Sequence, residues 1–423
     1  MSRVVLATWG SFGDLHPYIA VARGLLARGH DVSIATCAVY RSKVEGEGIR
    51  FRPLAPDVGA LRDDPEALRR AFDEKTGTEY VVREIVLPVL EESYCDLLAA
   101  SSSADLIVGH PIVYSVPLAA EQLGIPWLSV SLQPSGFLSA YDPPYFPRAA
   151  WLYRMRHLGR WPFALLFAAA KRLATSWAQP VVELRRRVGL PSAKANPLLE
   201  GVFSPNGTMA WFSEVLGAPQ PDWPPLTRIT GFPFYDRLTP GSSLSRQLEA
   251  FLLSGEPPVV FTLGSSAVLN AGDFYEQSLA AVQTIGCRAV FLTGTDGCNP
   301  LQGAVPDSVC VADYAPYSEL FPRVRAVVHQ GGIGTTGQVL RSGRPMLIVP
   351  FSHDQPDNAR RCARLGVARF VPRDRYTGAR AAEELRLLLS DARYTARAAS
   401  VGGILAGENG VAAACDFILS GGR

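Results

Sequence analysis

The chain has no Cys-x-x-Cys pair, no His-x-x-x-His or His-Glu-x-x-His pattern, and no uncharged run of membrane-spanning length. The first two gaps exclude the common zinc sites and the dithiol redox motif. The third leaves no candidate spanning helix. Net charge is only +2, so no global basic field marks the chain as a nucleic-acid binder. The opening Met-Ser-Arg runs straight into an apolar strand, without the basic region, hydrophobic region and small-residue cleavage site of a signal peptide. The seven cysteines, Cys37, Cys95, Cys287, Cys298, Cys310, Cys362 and Cys415, are odd in number and dispersed. That usage predicts reduced thiols in a cytoplasmic protein, most of them small core residues.

What is present is enough apolar material for ordinary packed cores. The 423 residues are 48% hydrophobic and 19% charged, a length that favours two or three domains. Residues 4–8 (VVLAT) read as a strand, WGSFGDLHP as a loop, YIAVARGLLARG as a helix, and 31–37 (DVSIATC) as a second strand. This strand–loop–helix–strand unit marks a parallel α/β sheet. Further apolar runs follow at 105–110 and 126–132. A Pro- and Gly-rich stretch reads as a domain connection, and the pattern then restarts with strands at 257–266, 288–294, 326–332 and 345–351. The predicted architecture is α/β, two Rossmann-like doubly wound parallel-sheet domains. Residues 1–215 form the first, 216–256 a linker, 257–405 the second, and 406–423 a C-terminal helix. Ligands in such sheets sit beyond the carboxyl ends of the strands, so a crevice between the halves is the expected site.

The most informative string is VVHQGGIGTTGQVLRSGRPMLIVPFSHDQPDNARR, residues 327–361. A strand ends at His329. Gly331, Gly332 and Gly334 form a turn that lets backbone approach a ligand closely. Thr335, Thr336 and Gly337 open the next helix, whose N-terminal N–H groups and dipole favour an anion such as phosphate. His329 and Thr335 add side-chain donors. Asp354, Gln355 and Asn358 emerge on the same rim with the mixed donors and acceptors that suit sugar hydroxyls. Gly332, Gly334 and Gly337 also match GxGxxG, which leaves open an NAD(P)-dependent oxidoreductase with Asp354 as the ribose acid. A glycine-rich turn that only tightens packing is the bland alternative.

HQGGIGTTGQVLRSGRPMLIVPFSHDQPDN resembles the donor-binding signature of the family 1 glycosyltransferases with the GT-B fold. It is most similar to the bacterial branch of rhamnosyltransferases, sterol glucosyltransferases and antibiotic glycosyltransferases. GSFGDLHP near the start and DYAPYSELFP before the signature extend the likeness over most of the chain, weakest between about 140 and 200. The resemblance implies that His329 and the Gly332–Thr335 turn contact a donor diphosphate, and that Asp354 and Gln355 read the sugar. Tyr314 falls where plant members carry a base-stacking Trp, and Tyr can stack too. Ile333 replaces their phosphate-binding Asn. Gly337 replaces a ribose-binding Glu, for which Gln338 is the substitute. Gly264 and Ser265 match a loop that also approaches phosphate, and the resemblance further implies that the helix after about 405 packs back on the N-terminal half. No cofactor and no divalent metal is implied, in keeping with the lack of a DxD-type carboxylate cluster.

An inverting transfer needs a base for the acceptor hydroxyl. The family places it in the first loop, where Asp14 aligns with it and His16 is the second choice. Asp14 as a helix cap and His16 as a solvated loop residue are the bland readings. His110 ends another strand on the same rim, either orienting the base or serving structure. The stretch 140–190 interleaves Trp151, Tyr153, Trp161, Phe163, Phe167 and Trp177 with many arginines. It reads as an acceptor-pocket wall, as an amphipathic helix pair turned to the core, or, over 148–172, as a weak peripheral contact with an anionic membrane. The expected activity is transfer of sugar from a UDP- or dTDP-sugar to a hydroxyl of a lipophilic or aromatic acceptor. A non-catalytic nucleotide-sugar-binding partner subunit is the remaining rival.

Overall fold

Thirteen strands among the described residues build two all-parallel sheets. The computed structural model describes every residue except 60–63, 237–243, 295–298, 302–304 and 423. The chain divides into two units, Met1–Tyr235 with Asn409–Arg423, and Asp236–Glu408.

The first unit holds β1 (Arg3–Ala7), β2 (Asp31–Thr36), β3 (Arg50–Pro53), β4 (Leu106–Gly109), β5 (Trp127–Ser131), β6 (Thr208–Ala210) and β7 (Thr227–Ile229), in the spatial order β3-β2-β1-β4-β5-β6-β7. β4 and β5 are buried along their whole length. That is why their sequences are apolar on both faces rather than alternating. The second unit holds β8 (Val259–Thr262), β9 (Ala289–Leu292), β10 (Val309–Ala312), β11 (Ala326–His329), β12 (Met346–Ile348) and β13 (Ala368–Phe370), ordered β10-β9-β8-β11-β12-β13. Phe261 and Phe291 stack at 4.8 Å in its core, on a continuous apolar cluster that runs from Val259 to Leu388. In both sheets the strand order reverses once, between β1 and β4 and between β8 and β11. Loops leaving the carboxyl ends of those strands part in opposite directions there, which opens a crevice.

Five helices matter below. α1 is Phe12–Leu26 and α2 is Trp161–Leu173, both in the first unit. α3 is Ile333–Ser342 and α4 is Gln355–Arg364, in the second. α5, Gly410–Leu419, returns to the first unit, where Arg28 pairs with Asp416 at 2.7 Å and Phe417 and Ile418 are buried.

Several expectations change in detail. The WGSFGDLHP segment is not a loop throughout, because α1 begins at Phe12 and carries Asp14, His16 and Pro17. The stretch 216–256 holds β7 and the helix Arg246–Leu253, which belong to different units. Cys95 is exposed and Cys287 only half-buried, so those two are not core fillers, and the six described cysteines are all free thiols. Cys298 lies outside the described residues. The stretch Ala392–Leu419 is long and apolar enough to cross a membrane by composition. It forms two helices, Ala392–Ala406 and α5, assigned to different units.

Candidate active site and donor rim

At the reversal point of the first sheet, Ser11 caps α1 and accepts a hydrogen bond from the Gly13 N–H at 3.1 Å. Asp14 completes a capping box: its Oδ2 accepts from the Ser11 N–H at 2.7 Å and from the Ser11 hydroxyl at 3.1 Å. Gly10, at φ 135°, lies against this carboxylate; a Cβ there would sit 2.3 Å from Oδ2. Only glycine therefore allows Asp14 to fold back over the turn. Asp14 Oδ1 faces His110 Nε2 at 3.7 Å, with side chains 30% and 13% exposed. His110 Nδ1 accepts from the Ile112 N–H at 3.3 Å, so the proton sits on Nε2, toward the carboxylate. Burial pushes the His110 pKa down, with Asp14 opposing, and the ring stays neutral. The structure thus shows Asp14 as a cap partner whose second carboxylate oxygen faces His110.

His16 lies against aromatic rings rather than as a solvated loop residue. Its ring lies 5.1 Å from Phe12 and 4.8 Å from Tyr235. Burial, then the Lys43 cation, lower its pKa to about 4 against the pull of Glu47. It is a neutral aromatic spacer. Deeper in, Tyr18 packs 4.7 Å from Trp211 and 6.4 Å from His110. The Tyr18 hydroxyl and Trp211 Nε1 are buried without a hydrogen-bond partner. The helical periodicity around Tyr18 marks it as core, and nothing local shows that its ring lies near His110.

At the reversal point of the second sheet, β11 runs into Gly331 and Gly332, and Gly332 caps α3. Helix α4 starts beside it, with Asp354 as its first flanking residue. Asp354 ties the two helix starts together: its Oδ2 accepts from the Ile333 N–H at 3.2 Å and from Asn358 Nδ2 at 2.6 Å. Asn358 also donates to the Gly331 carbonyl at 2.9 Å. Both helix N-termini therefore open on one rim, where positive dipole ends favour an anion. Thr335 is buried in the first turn of α3, which also contains Gly334.

Two residues expected to contact the donor also have partners within the protein. The His329 ring is fully buried, its Nδ1 accepts from the Gly331 N–H at 3.1 Å, and its Nε2 faces Met346 Sδ at 3.4 Å. Burial lowers its pKa to about 3. It braces the turn from beneath. Gln355 is likewise buried, its Oε1 accepting from the Phe351 and Ser352 N–H groups at 2.8 and 3.1 Å. Gln338 accepts from Arg341 at 2.8 Å, and Arg341 pairs with Asp236. Gly264 and Ser265 begin a short helix, Gly264–Ala267, directly after β8. Tyr314 is 67% exposed, an open aromatic face after β10.

Gln330 is the residue missed from the sequence. It is buried, and its Oε1 has no hydrogen-bond partner. A Cβ on Gly264 would meet Gln330 Nε2 at 2.5 Å, and one on Gly332 would meet it at 2.9 Å. The amide thus fills the gap between the two glycine turns. Its position between His329 and Gly331, inside the quoted signature, was the available signal. Thr336 Oγ1, Ser352 Oγ and Asn358 Oδ1 are also buried without partners.

Residues 4–141 match the glycosyltransferase family 28 N-terminal domain, and residues 278–408 match the erythromycin biosynthesis protein CIII-like C-terminal domain. The chain is 33% identical to the O-mycaminosyltylonolide 6-deoxyallosyltransferase of Streptomyces fradiae, over 98% of this chain and 96% of that protein. It is 27% identical to the sterol 3-beta-glucosyltransferase UGT80A2 of Arabidopsis thaliana, over 97% of this chain but 64% of that longer protein. The crystal structure of glycosyltransferase VinC in complex with dTDP shares the fold, with a TM-score of 0.69 at 21% identity and 99% coverage of both chains. These findings set aside the oxidoreductase and the non-catalytic subunit. The chain belongs to the GT-B glycosyltransferases, in the branch that holds the antibiotic and sterol glycosyltransferases, and is itself a glycosyltransferase.

Proposed function

We propose that the enzyme transfers a sugar, with inversion, from a nucleoside-diphosphate sugar to a hydroxyl of a lipophilic or aromatic small molecule. The observation that carries this is the rim where α3 and α4 begin. Two helix N-termini share it, and four buried polar atoms on Gln330, Thr336, Ser352 and Asn358 lack partners there. Buried polar groups are nearly always hydrogen-bonded, so such a cluster calls for a polar ligand. The diphosphate would lie across the start of α3, against the Gly331–Gly332 turn, Thr335 and the Gly264–Ser265 turn. Asp354 would meet the sugar, and Tyr314 would stack on the base. VinC, solved with dTDP, supports a thymidine donor, and UDP is the alternative.

The first unit would hold the acceptor. The acceptor hydroxyl gives its proton to the Asp14 carboxylate as its oxygen attacks the anomeric carbon. The bond from that carbon to the diphosphate oxygen breaks, and its electron pair leaves with the diphosphate. Attack opposite the leaving group inverts the centre. His110, donating toward Asp14 Oδ1, orients the carboxylate. Lipophilic acceptors are supported by the relatives, whose names specify O-mycaminosyltylonolide and a sterol.

Titration calorimetry with dTDP and with UDP tests the donor half. Saturable binding of at least one is expected, and binding of neither overturns the reading. Proton NMR of the first product formed tests the inversion, and a retained anomeric configuration overturns it.

A further inference from the structure

We infer that helix α2 docks this enzyme on an anionic bilayer surface. The inference does not rest on the donor or base assignments. Its starting point is that α2 is apolar on both sides. Phe163 and Phe167 are buried in a small satellite cluster with Ala140, against which Phe146, Leu152 and Met155 pack. That seals the inner face. The outer face carries Trp161, Leu165 and Leu173, 67%, 72% and 78% exposed, and no charged residue occurs from 161 to 170. Trp161, Leu165, Ala168 and Arg172 recur at helical spacing, so they form one stripe. Trp151 and Leu158, just before α2, are exposed as well. Single exposed apolar residues are ordinary, but a contiguous exposed stripe marks an interaction surface.

Charge selects the occupant. Between Asp142 and Glu183 the chain has no acidic residue. Three of its cations are neutralised, Arg148 by Glu79, Arg156 by Asp142 and Lys171 by Glu200. Arg154, Arg160 and Arg172 pair with no carboxylate among the described residues. They flank the apolar stripe at both ends of α2. Arg160 lies over the Tyr141 and Trp161 rings at 5.0 and 4.7 Å, which holds an aromatic–cation group at the solvent boundary. An apolar stripe, an interfacial Trp and unpaired arginines without acids fit acyl chains below anionic headgroups. The core reading holds for Phe163 and Phe167, while the opposite face of the helix points to solvent.

Co-sedimentation tests this with the full chain and two vesicle types, phosphatidylcholine alone and phosphatidylcholine with about one third phosphatidylglycerol. The wild type is expected to pellet with the anionic vesicles, far less with the neutral ones, and to be released by salt. The double variant Trp161→Glu/Leu165→Glu should lower the partition coefficient roughly tenfold or more. Its circular dichroism and its turnover of a water-soluble acceptor should match the wild type. Three results overturn the inference: no binding to anionic vesicles, equal binding by the double variant, or a concentration-dependent dimer that the variant abolishes. The last would make a second copy of the chain the occupant.

Discussion

At Asp14 one carboxylate oxygen is committed to Ser11 and the other faces His110, so the side chain is held at the rim by its own helix start. Asn at this position keeps an acceptor for the capping box but cannot take a proton. Asp14→Asn should therefore lower kcat by about 100- to 10,000-fold, the usual worth of a general base, with the affinity for dTDP unchanged. Steady-state rates and calorimetry on the same preparation check this, and near-wild-type turnover would remove Asp14 as the base. Single residues are also where the sequence was hardest to read. His329 and Gln355 sit inside a recognisable signature, yet His329 Nδ1 and Gln355 Oε1 accept from the protein's own backbone. Direction of a side chain depends on which neighbour reaches it first, and that neighbour is not encoded locally. Gln330 shows the converse: the space its amide fills is left by Gly264, on another strand's exit.

At the level of elements, the two sheet reversal points do most of the positioning. Long apolar runs such as those forming β1, β5 and β9 were legible because strands buried on both faces read as continuous hydrophobic segments. The short strands β6, β7 and β13, three residues each, were not, because so few positions carry no periodicity. The start of α1 was hidden by Pro17, which usually sits at or before a helix start. The capping box of Ser11 and Asp14 was the better signal. The turn after β8 yields a prediction of its own. Gly264 adopts φ 65°, and a Cβ there meets the Gln330 amide. Gly264→Ala should destabilise the protein by about 1–3 kcal/mol and weaken dTDP binding. Urea denaturation with calorimetry reads both, and an alanine variant that binds dTDP normally would take Gln330 out of the donor rim.

For the molecule as a whole, two neutral histidines in different units link stability to acidity. Burial holds His329 down at about 3 and His16 at about 4. The unfolded chain titrates both near 6.5 and takes up protons that the folded chain refuses. Stability is therefore unaffected by these rings above about pH 6.5, falls by roughly 1.4 kcal/mol per pH unit for each ring below it, and stops falling once each folded pKa is passed. Urea melts between about pH 7 and pH 4 should show this loss, and His329→Asn should roughly halve its slope, leaving the His16 share. An unchanged slope in that variant would mean that His329 is not the sensor. The two-domain α/β plan was readable from the alternation of strand and helix patterns. The return of the last residues to the first unit followed from the family resemblance and holds, whereas the residues alone did not give it, because tail attachment depends on contacts such as Arg28–Asp416, nearly the full chain apart in sequence.

That tail makes the first unit discontinuous, since residues 236–408 are inserted between its main part and α5. The second unit, proposed above to hold the donor, is thus a cassette with two seams rather than a C-terminal portion. A chimera meant to exchange sugar specificity should be cut at both seams, near Tyr235 and near Asn409, and should leave α5 native. A single crossover would replace Phe417, Ile418 and Asp416 with a foreign helix and damage the fold that carries Asp14.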